Sequence, residues 1–140
     1  IDGIQALRAA QKELDPNESI KIVNGCEFSA DYKDKSIHIL GYCFDEDNKD
    51  LIDFITFFKG KREERIDEII RRCNNEGYYI TKEELIKQFP DTKAYGRPHI
   101  GKLLIDGGYA KDINDVFKGI LRKDSPCYVP KVKVEVPYYT

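Results

Sequence analysis

The sequence predicts an α/β chain into which a small all-helical domain is inserted. Two observations lead there. Two apolar runs near the start, Lys21 to Phe28 and Ser36 to Phe44, read as strands, and the chain returns to an extended pattern at its end. Between them, from about residue 48 to 124, no good strand appears and helix signals dominate. The expected division is therefore 1–47 and 125–140 for the α/β part, with 48–124 as the helical insertion.

Taken in order, Ile4, Leu7, Ala10 and Leu14 form one helical stripe, with Arg8, Lys12 and Glu13 opposite. Asp15-Pro16-Asn17 stops that helix, because Pro cannot continue it and Asp and Asn favour turns. The two strands follow, bridged by a polar loop from Asp31 to Lys35. In the second, Ile37 and Ile39 take one face while His38 and Leu40 take the other. After the acidic stretch Asp45-Glu46-Asp47 comes a long helix, from Leu51 through Ile66, Ile69, Ile70 and Cys73. It is expected to bend near Gly60 and to stop at Gly77. Thr81-Lys82-Glu83-Glu84 is a capping box for a short helix to about Phe89. Pro98 suits the first turn of the next helix, which runs through Leu103, Leu104 and Ile105 to Gly107-Gly108. Asp112 caps a last one, Ile113 to Leu121. Finally Lys131-Val132-Lys133-Val134-Glu135-Val136 alternates as a strand or extended arm does.

Composition narrows the function classes. A chain of 140 residues, 41% hydrophobic and 34% charged, suits a globular protein with a real core. No apolar run approaches the roughly 20 residues that span a bilayer, and the opening residues lack the charged head and apolar block of a signal peptide. A net charge of −2 gives no general pull toward nucleic acid or acidic membranes. The four cysteines, Cys26, Cys43, Cys73 and Cys127, form no CxxC pair, so reduced thiols in a cytoplasmic protein are expected in place of a zinc ribbon. The start at Ile1 and the end without a closing element read as a fragment cut from something longer.

Two stretches carry chemistry. Glu27 ends the first strand and His38 sits in the second, so neighbouring strands can aim both at one point. Glu and His are ligand types for Zn, Mn or Fe, although two ligands are half a site; the plain alternative is a strand-end Glu and a hydrogen-bonded core His. In Gly96-Arg97-Pro98-His99, Arg97 and His99 fall at a helix N-terminus, where free N–H groups and the macrodipole favour an anion such as phosphate. There the plain alternative is a surface ion pair for Arg97 and a His99 packed on the preceding turn.

Gly25-Cys26-Glu27, then His38-Ile39-Leu40-Gly41-Tyr42, then Gly96-Arg97-Pro98-His99 within a helical insertion resemble the PHP (polymerase and histidinol phosphatase) metal-dependent phosphoesterases. The match is to the branch acting on nucleoside 3′,5′-bisphosphates or trimming short RNA from its 5′ end. Arg62, Arg65, Gly107-Gly108-Tyr109, Phe117 and Tyr128-Val129-Pro130-Lys131 agree with it. The resemblance implies part of a distorted β/α barrel with up to three divalent ions, Mn, Fe or Zn. In it Glu27 would bind or bridge two metals and His38 one, while Arg97 and His99 would hold the phosphate or sugar of a nucleotide or short oligonucleotide. Metal-activated water would attack phosphorus. The family's other His and Asp motifs are not in this sequence, which has two histidines in all. The expectation is therefore a chain that is inactive alone and binds metal weakly, with self-association through uncovered strand edges. The competing readings are a small helical nucleic-acid or protein-binding module without catalysis, suggested by Thr81 to Leu121 and the mildly basic Lys59 to Arg72, and a purely structural domain.

Overall fold

Among the described residues eight elements follow one another: α1 (Ile4–Glu13), β1 (Gly25–Tyr32), β2 (Lys35–Tyr42), α2 (Lys49–Asn75), α3 (Lys82–Gln88), α4 (Arg97–Asp106), α5 (Ile113–Lys118) and β3 (Val134–Glu135). The structure, a computed structural model, describes residues 4–33 and 35–135. It divides into two units, Ile1–Lys59 with Val132–Thr140, and Gly60–Lys131.

In the first unit, β1 and β2 pair antiparallel from Gly25↔Tyr42 out to Tyr32↔Lys35. Both strands are displaced from the expected runs. Asp31, Tyr32 and Lys35, expected in a loop, are rungs of the ladder, while residues 21–24 and 43–44 lie outside it. The strands meet across a two-residue connection in which Lys33 takes a left-handed φ of 53°, a geometry that matches strand twist. At the other end the Cys43 N–H donates to Asn24 O (3.0 Å) and Asn24 Nδ2 donates to Phe44 O (2.6 Å), closing the hairpin base.

Pleating puts Phe28, Ala30, Ile37 and Ile39 on one face and Glu27, Ser29, Asp31, Ser36, His38 and Leu40 on the other. The apolar face lies against the start of α2. Phe28, Ala30 and Ile39 line a cleft with Leu51 and Phe54, and the Phe28 and Phe54 rings meet edge to face at 5.5 Å. This packing is why the first turns of α2 belong with the sheet. β3 pairs parallel with β1 through Ala30↔Val134 and Asp31↔Glu135, giving the order β2-β1-β3. It is shorter than the expected Lys131 to Val136, and Val136 lies outside the described residues. Among the described residues the sheet has three strands and does not close into a barrel.

The second unit is helical. Ile66, Ile69, Ile70 and Cys73 of α2, Leu85 of α3, Ile100, Leu103 and Leu104 of α4 and Val116 of α5 share one core with Ile80, Leu121 and Cys127. Local chemistry sets the helix ends. Thr81 Oγ1 accepts from the Glu84 N–H (3.1 Å) while Glu84 Oε2 accepts from the Thr81 N–H (2.9 Å), the reciprocal capping box. Gly77, at φ 86°, ends α2 with a Schellman pair, Tyr78 N–H to Cys73 O and Gly77 N–H to Asn74 O. Gly108, at φ 77°, ends α4 the same way, with Tyr109 N–H to Leu104 O and Gly108 N–H to Ile105 O. Helical bonding runs through Gly60 without a break. α5 stops at Lys118, short of Leu121, yet Leu121 is still fully buried. The segment after it is held by two arginines of α2: Arg65 Nε donates to Val129 O (2.8 Å) and Arg72 Nη1 to Tyr128 O (2.7 Å).

Candidate functional site

Glu27 and His38 meet on the polar face of the hairpin. His38 pairs directly with Ser29, and Glu27 is the next residue along β1 on that face. The diagonal brings Glu27 Oε1 to 3.0 Å from His38 Nδ1, with Ser29 Oγ 3.4 Å from the same nitrogen. Both side chains remain more than half exposed, 57% for Glu27 and 58% for His38. His38 is thus on an open face and not in a core.

The donor set can be tested against a divalent ion. Two ligand atoms about 2.1 Å from one octahedral ion, at a right angle, lie about 3.0 Å apart, so the pair fits two adjacent positions. With no ion between them the same separation is a hydrogen bond. Among the described residues no group of three or more His, Cys, Asp and Glu is placed to hold a metal. Cys26, next to Glu27 but on the opposite face, adds no thiolate, because burial pushes its thiol pKa up. Farther along the polar face Asp31 is already engaged: Lys133 Nζ donates to Asp31 Oδ1 (2.7 Å) and to Ser36 Oγ (3.0 Å).

Arg97 and His99 lie in the other unit, in the first turn of α4. Gly96, in extended backbone, is the N-cap and has no side chain to offer. His99 takes over that role: its Nδ1 accepts the Gly96 N–H at 3.0 Å. A neutral ring so engaged carries its proton on Nε2. Edge-to-face contacts with Phe89 (4.8 Å) and Tyr95 (5.8 Å) hold the ring. The packing of His99 on its own turn is therefore present, and it leaves Nε2–H as the donor.

The Arg97 guanidinium lies over two rings, 5.2 Å from the Phe117 centroid and 5.8 Å from that of Tyr128. Arg65, only 8% exposed, reaches the next residue, Val129, by its bond to the carbonyl. Burial lowers the Arg65 pKa, and the nearby Arg97 charge lowers it further. Among the described residues neither arginine has a carboxylate partner. Ser29 and Tyr128 were not singled out as site residues from sequence. Strand alternation could have given Ser29, whereas Tyr128 stood out only as part of the stretch Tyr128-Val129-Pro130-Lys131 that agrees with the family pattern, with no role attached.

No family model matches the chain, and no curated protein matches it. Solved structures do. A protein from Bifidobacterium adolescentis assigned as a metal-dependent phosphoesterase superposes with a TM-score of 0.70 at 22% identity, over 94% of this chain and 44% of its own. An amidohydrolase from Chromobacterium violaceum, solved with sulfate bound and no metal, gives 0.61 at 24% identity, over 77% and 38%. The chain spans less than half the length of either, and what it has in common with them is the fold.

Proposed function

We propose that this chain carries part of the active site of a metal-dependent phosphoesterase acting on nucleotide phosphate esters, nucleoside 3′,5′-bisphosphates or the 5′ ends of short RNA. The observation that carries the reading is the 3.0 Å approach of Glu27 Oε1 to His38 Nδ1 on an open polar face. The fold likeness to a protein assigned as a metal-dependent phosphoesterase supports it. On this reading Glu27 and His38 hold a divalent ion, Mn, Fe or Zn, in a site that takes up to three. Bound there, the metal supplies Lewis-acid polarisation of the phosphoryl group and a water of lowered pKa.

The chain's own residues do the rest by binding and orientation. Arg97, its guanidinium plane supported by Phe117 and Tyr128, offers a fork of donors to phosphate oxygens. His99, tied through Nδ1 to Gly96, keeps Nε2–H to donate to the phosphate or sugar. The remaining metal ligands and barrel strands come from protein outside these 140 residues, in keeping with the 44% coverage of the structural neighbour. The chain alone is then inactive and holds metal weakly, and the enzyme works in the cytoplasm. The alternative of a nucleic-acid-binding helix is weakened because basic residues of its stretch are paired with acids: Lys61 with Glu64, and Arg71 and Arg72 with Glu68.

The test is hydrolysis of adenosine 3′,5′-bisphosphate with Mn²⁺ by a protein containing this chain with the missing barrel. Glu27→Ala is expected to abolish turnover, and Arg97→Ala to raise KM. Full turnover in Glu27→Ala would overturn the metal assignment.

A further inference from the structure

The polar face of the hairpin holds one more oxygen within reach of His38. Ser29 stands directly opposite His38 in the ladder. Its Oγ lies 3.4 Å from Nδ1, the nitrogen that Glu27 Oε1 approaches to 3.0 Å. The bond from Cys43 N–H to Asn24 O fixes which rungs exchange hydrogen bonds. By alternation Ser29↔His38 is a rung of the other kind, in which facing side chains stand closest. The backbone around Ser29 is held as well: Ala30 is fully buried and the Phe28 ring packs on Phe54. A single ring nitrogen carries one proton or one lone pair. The nearer Glu27 carboxylate takes it, so the Ser29 hydroxyl meets Nδ1 only loosely and makes no other bond among the described residues.

Of the neighbouring groups on this face, Asp31 and Ser36 both bond Lys133 Nζ, Leu40 is apolar, and the Tyr42 ring lies against Gly25. A carboxylate, an imidazole and a hydroxyl are what remains around one point. The separation of Ser29 Oγ and His38 Nδ1 matches two positions on a six-coordinate ion a little more than a right angle apart. A hydroxyl is a hard, neutral oxygen ligand. It suits Mn²⁺ and adds little to Zn²⁺, which favours thiolate and imidazole in four-coordinate sites.

We propose that Ser29 Oγ is a third protein donor to the ion held by Glu27 and His38, and that it narrows the usual advantage of Zn²⁺ over Mn²⁺ at this site. This deepens the phosphoesterase reading and rests on it for the presence of a metal there. Zn²⁺ binds most nitrogen and oxygen sites more tightly than Mn²⁺ does, so the effect of Ser29 is read as a ratio of the two affinities. An ordinary solvated strand serine would leave both affinity and ratio untouched.

The experiment is ion binding by the 140-residue chain, with no substrate and no turnover. Mn²⁺ binding is followed by loss of the free-ion EPR signal, and Zn²⁺ binding by displacement of that Mn²⁺. Ser29→Ala is expected to weaken Mn²⁺ binding about tenfold and to raise the Zn²⁺-to-Mn²⁺ affinity ratio. Ser29→Thr, which keeps the hydroxyl, is expected to stay within about threefold of wild type on both counts. Ser29→Cys places a soft donor at the same point and is expected to raise the ratio further. Co²⁺ bound to Ser29→Cys is expected to show a thiolate-to-metal charge-transfer band that Co²⁺ on the wild-type chain lacks. Without that band residue 29 is out of the ion's reach, and the proposal falls. Glu27→Ala separates this inference from the reading beneath it. Mn²⁺ binding unchanged in Glu27→Ala overturns the metal assignment and the Ser29 role together. Binding lost in Glu27→Ala but equal in Ser29→Ala and wild type overturns the Ser29 role alone, as does a Ser29→Thr variant as weak as Ser29→Ala.

Discussion

Glu27 and His38 sit on antiparallel strands one polar-face position out of register, and that offset brings a carboxylate oxygen to 3.0 Å from an imidazole nitrogen. Directly opposite residues would have placed both Cβ atoms closer and pushed the long Glu side chain past the ring. The diagonal instead lets the two tips converge over Ser29, where an ion or a proton can be shared.

An exposed pair of this kind adds little to folding. Glu27→Gln and His38→Ala are expected to shift unfolding free energy by no more than about 1 kcal/mol. Urea unfolding of the 140-residue chain measures this. A loss above about 2 kcal/mol would mark the pair as a structural bond.

The helical unit is more sensitive at its caps. Thr81→Ala removes the acceptor for the Glu84 N–H and leaves the Glu84 carboxylate with only half of its reciprocal pair. The expected cost is about 1 kcal/mol, read from urea unfolding. Thr81→Ser, which keeps the hydroxyl, is expected to recover most of it.

Much of the helical unit was legible because its signals are local. Thr81, Asp112, Gly77 and Gly108 do what their residue types dictate at a helix end. The strands were legible in kind but not in register. Ile20, Ile22 and Val23 look like strand residues, but Ile20 and Val23 are exposed and outside the ladder. Asp31 and Lys35 look like loop residues because they face solvent, yet both are paired. Register depends on the left-handed turn at Lys33 and on Phe54 meeting Phe28, and neither is written in any strand's own sequence. At the candidate site, alternation and the helix N-terminus exposed Glu27, His38, Arg97 and His99. The bond of His99 to Gly96, and the aromatic support of Arg97 from residues 20 and 31 positions away, required tertiary structure.

Glu68 should titrate unusually low. Hydrogen bonds from Arg71 and Arg72 hold its carboxyl at about 2, against 4.5 for a free glutamate. A depressed carboxyl contributes stability above the unfolded pKa and loses it as pH falls. The contribution is therefore present above pH 4.5 and disappears toward pH 2. Carboxyl-detected NMR would show the midpoint, and Glu68→Gln should flatten the acid limb of the stability curve.

Cys73 tests the core from the opposite end of the pH scale. It is fully buried in α2, and burial, followed by the neighbouring Cys127, pushes its thiol up to about 12. Only the thiolate is alkylated, so iodoacetamide at pH 8 is expected to modify exposed Cys43 in the native chain and to spare Cys73 until the protein unfolds. The linkage follows in sign. The unfolded chain releases this proton near 9 and the folded chain near 12, so the folded state binds more protons across that window. Stability is then full below pH 9 and falls as pH climbs toward 12. Cys73→Ala removes that slope, though it also leaves a small cavity in the helical core beside Cys127. Cys73→Val keeps the volume, and a stability curve that still fell just as steeply from pH 9 to 12 in both variants would show that another group sets the alkaline limit.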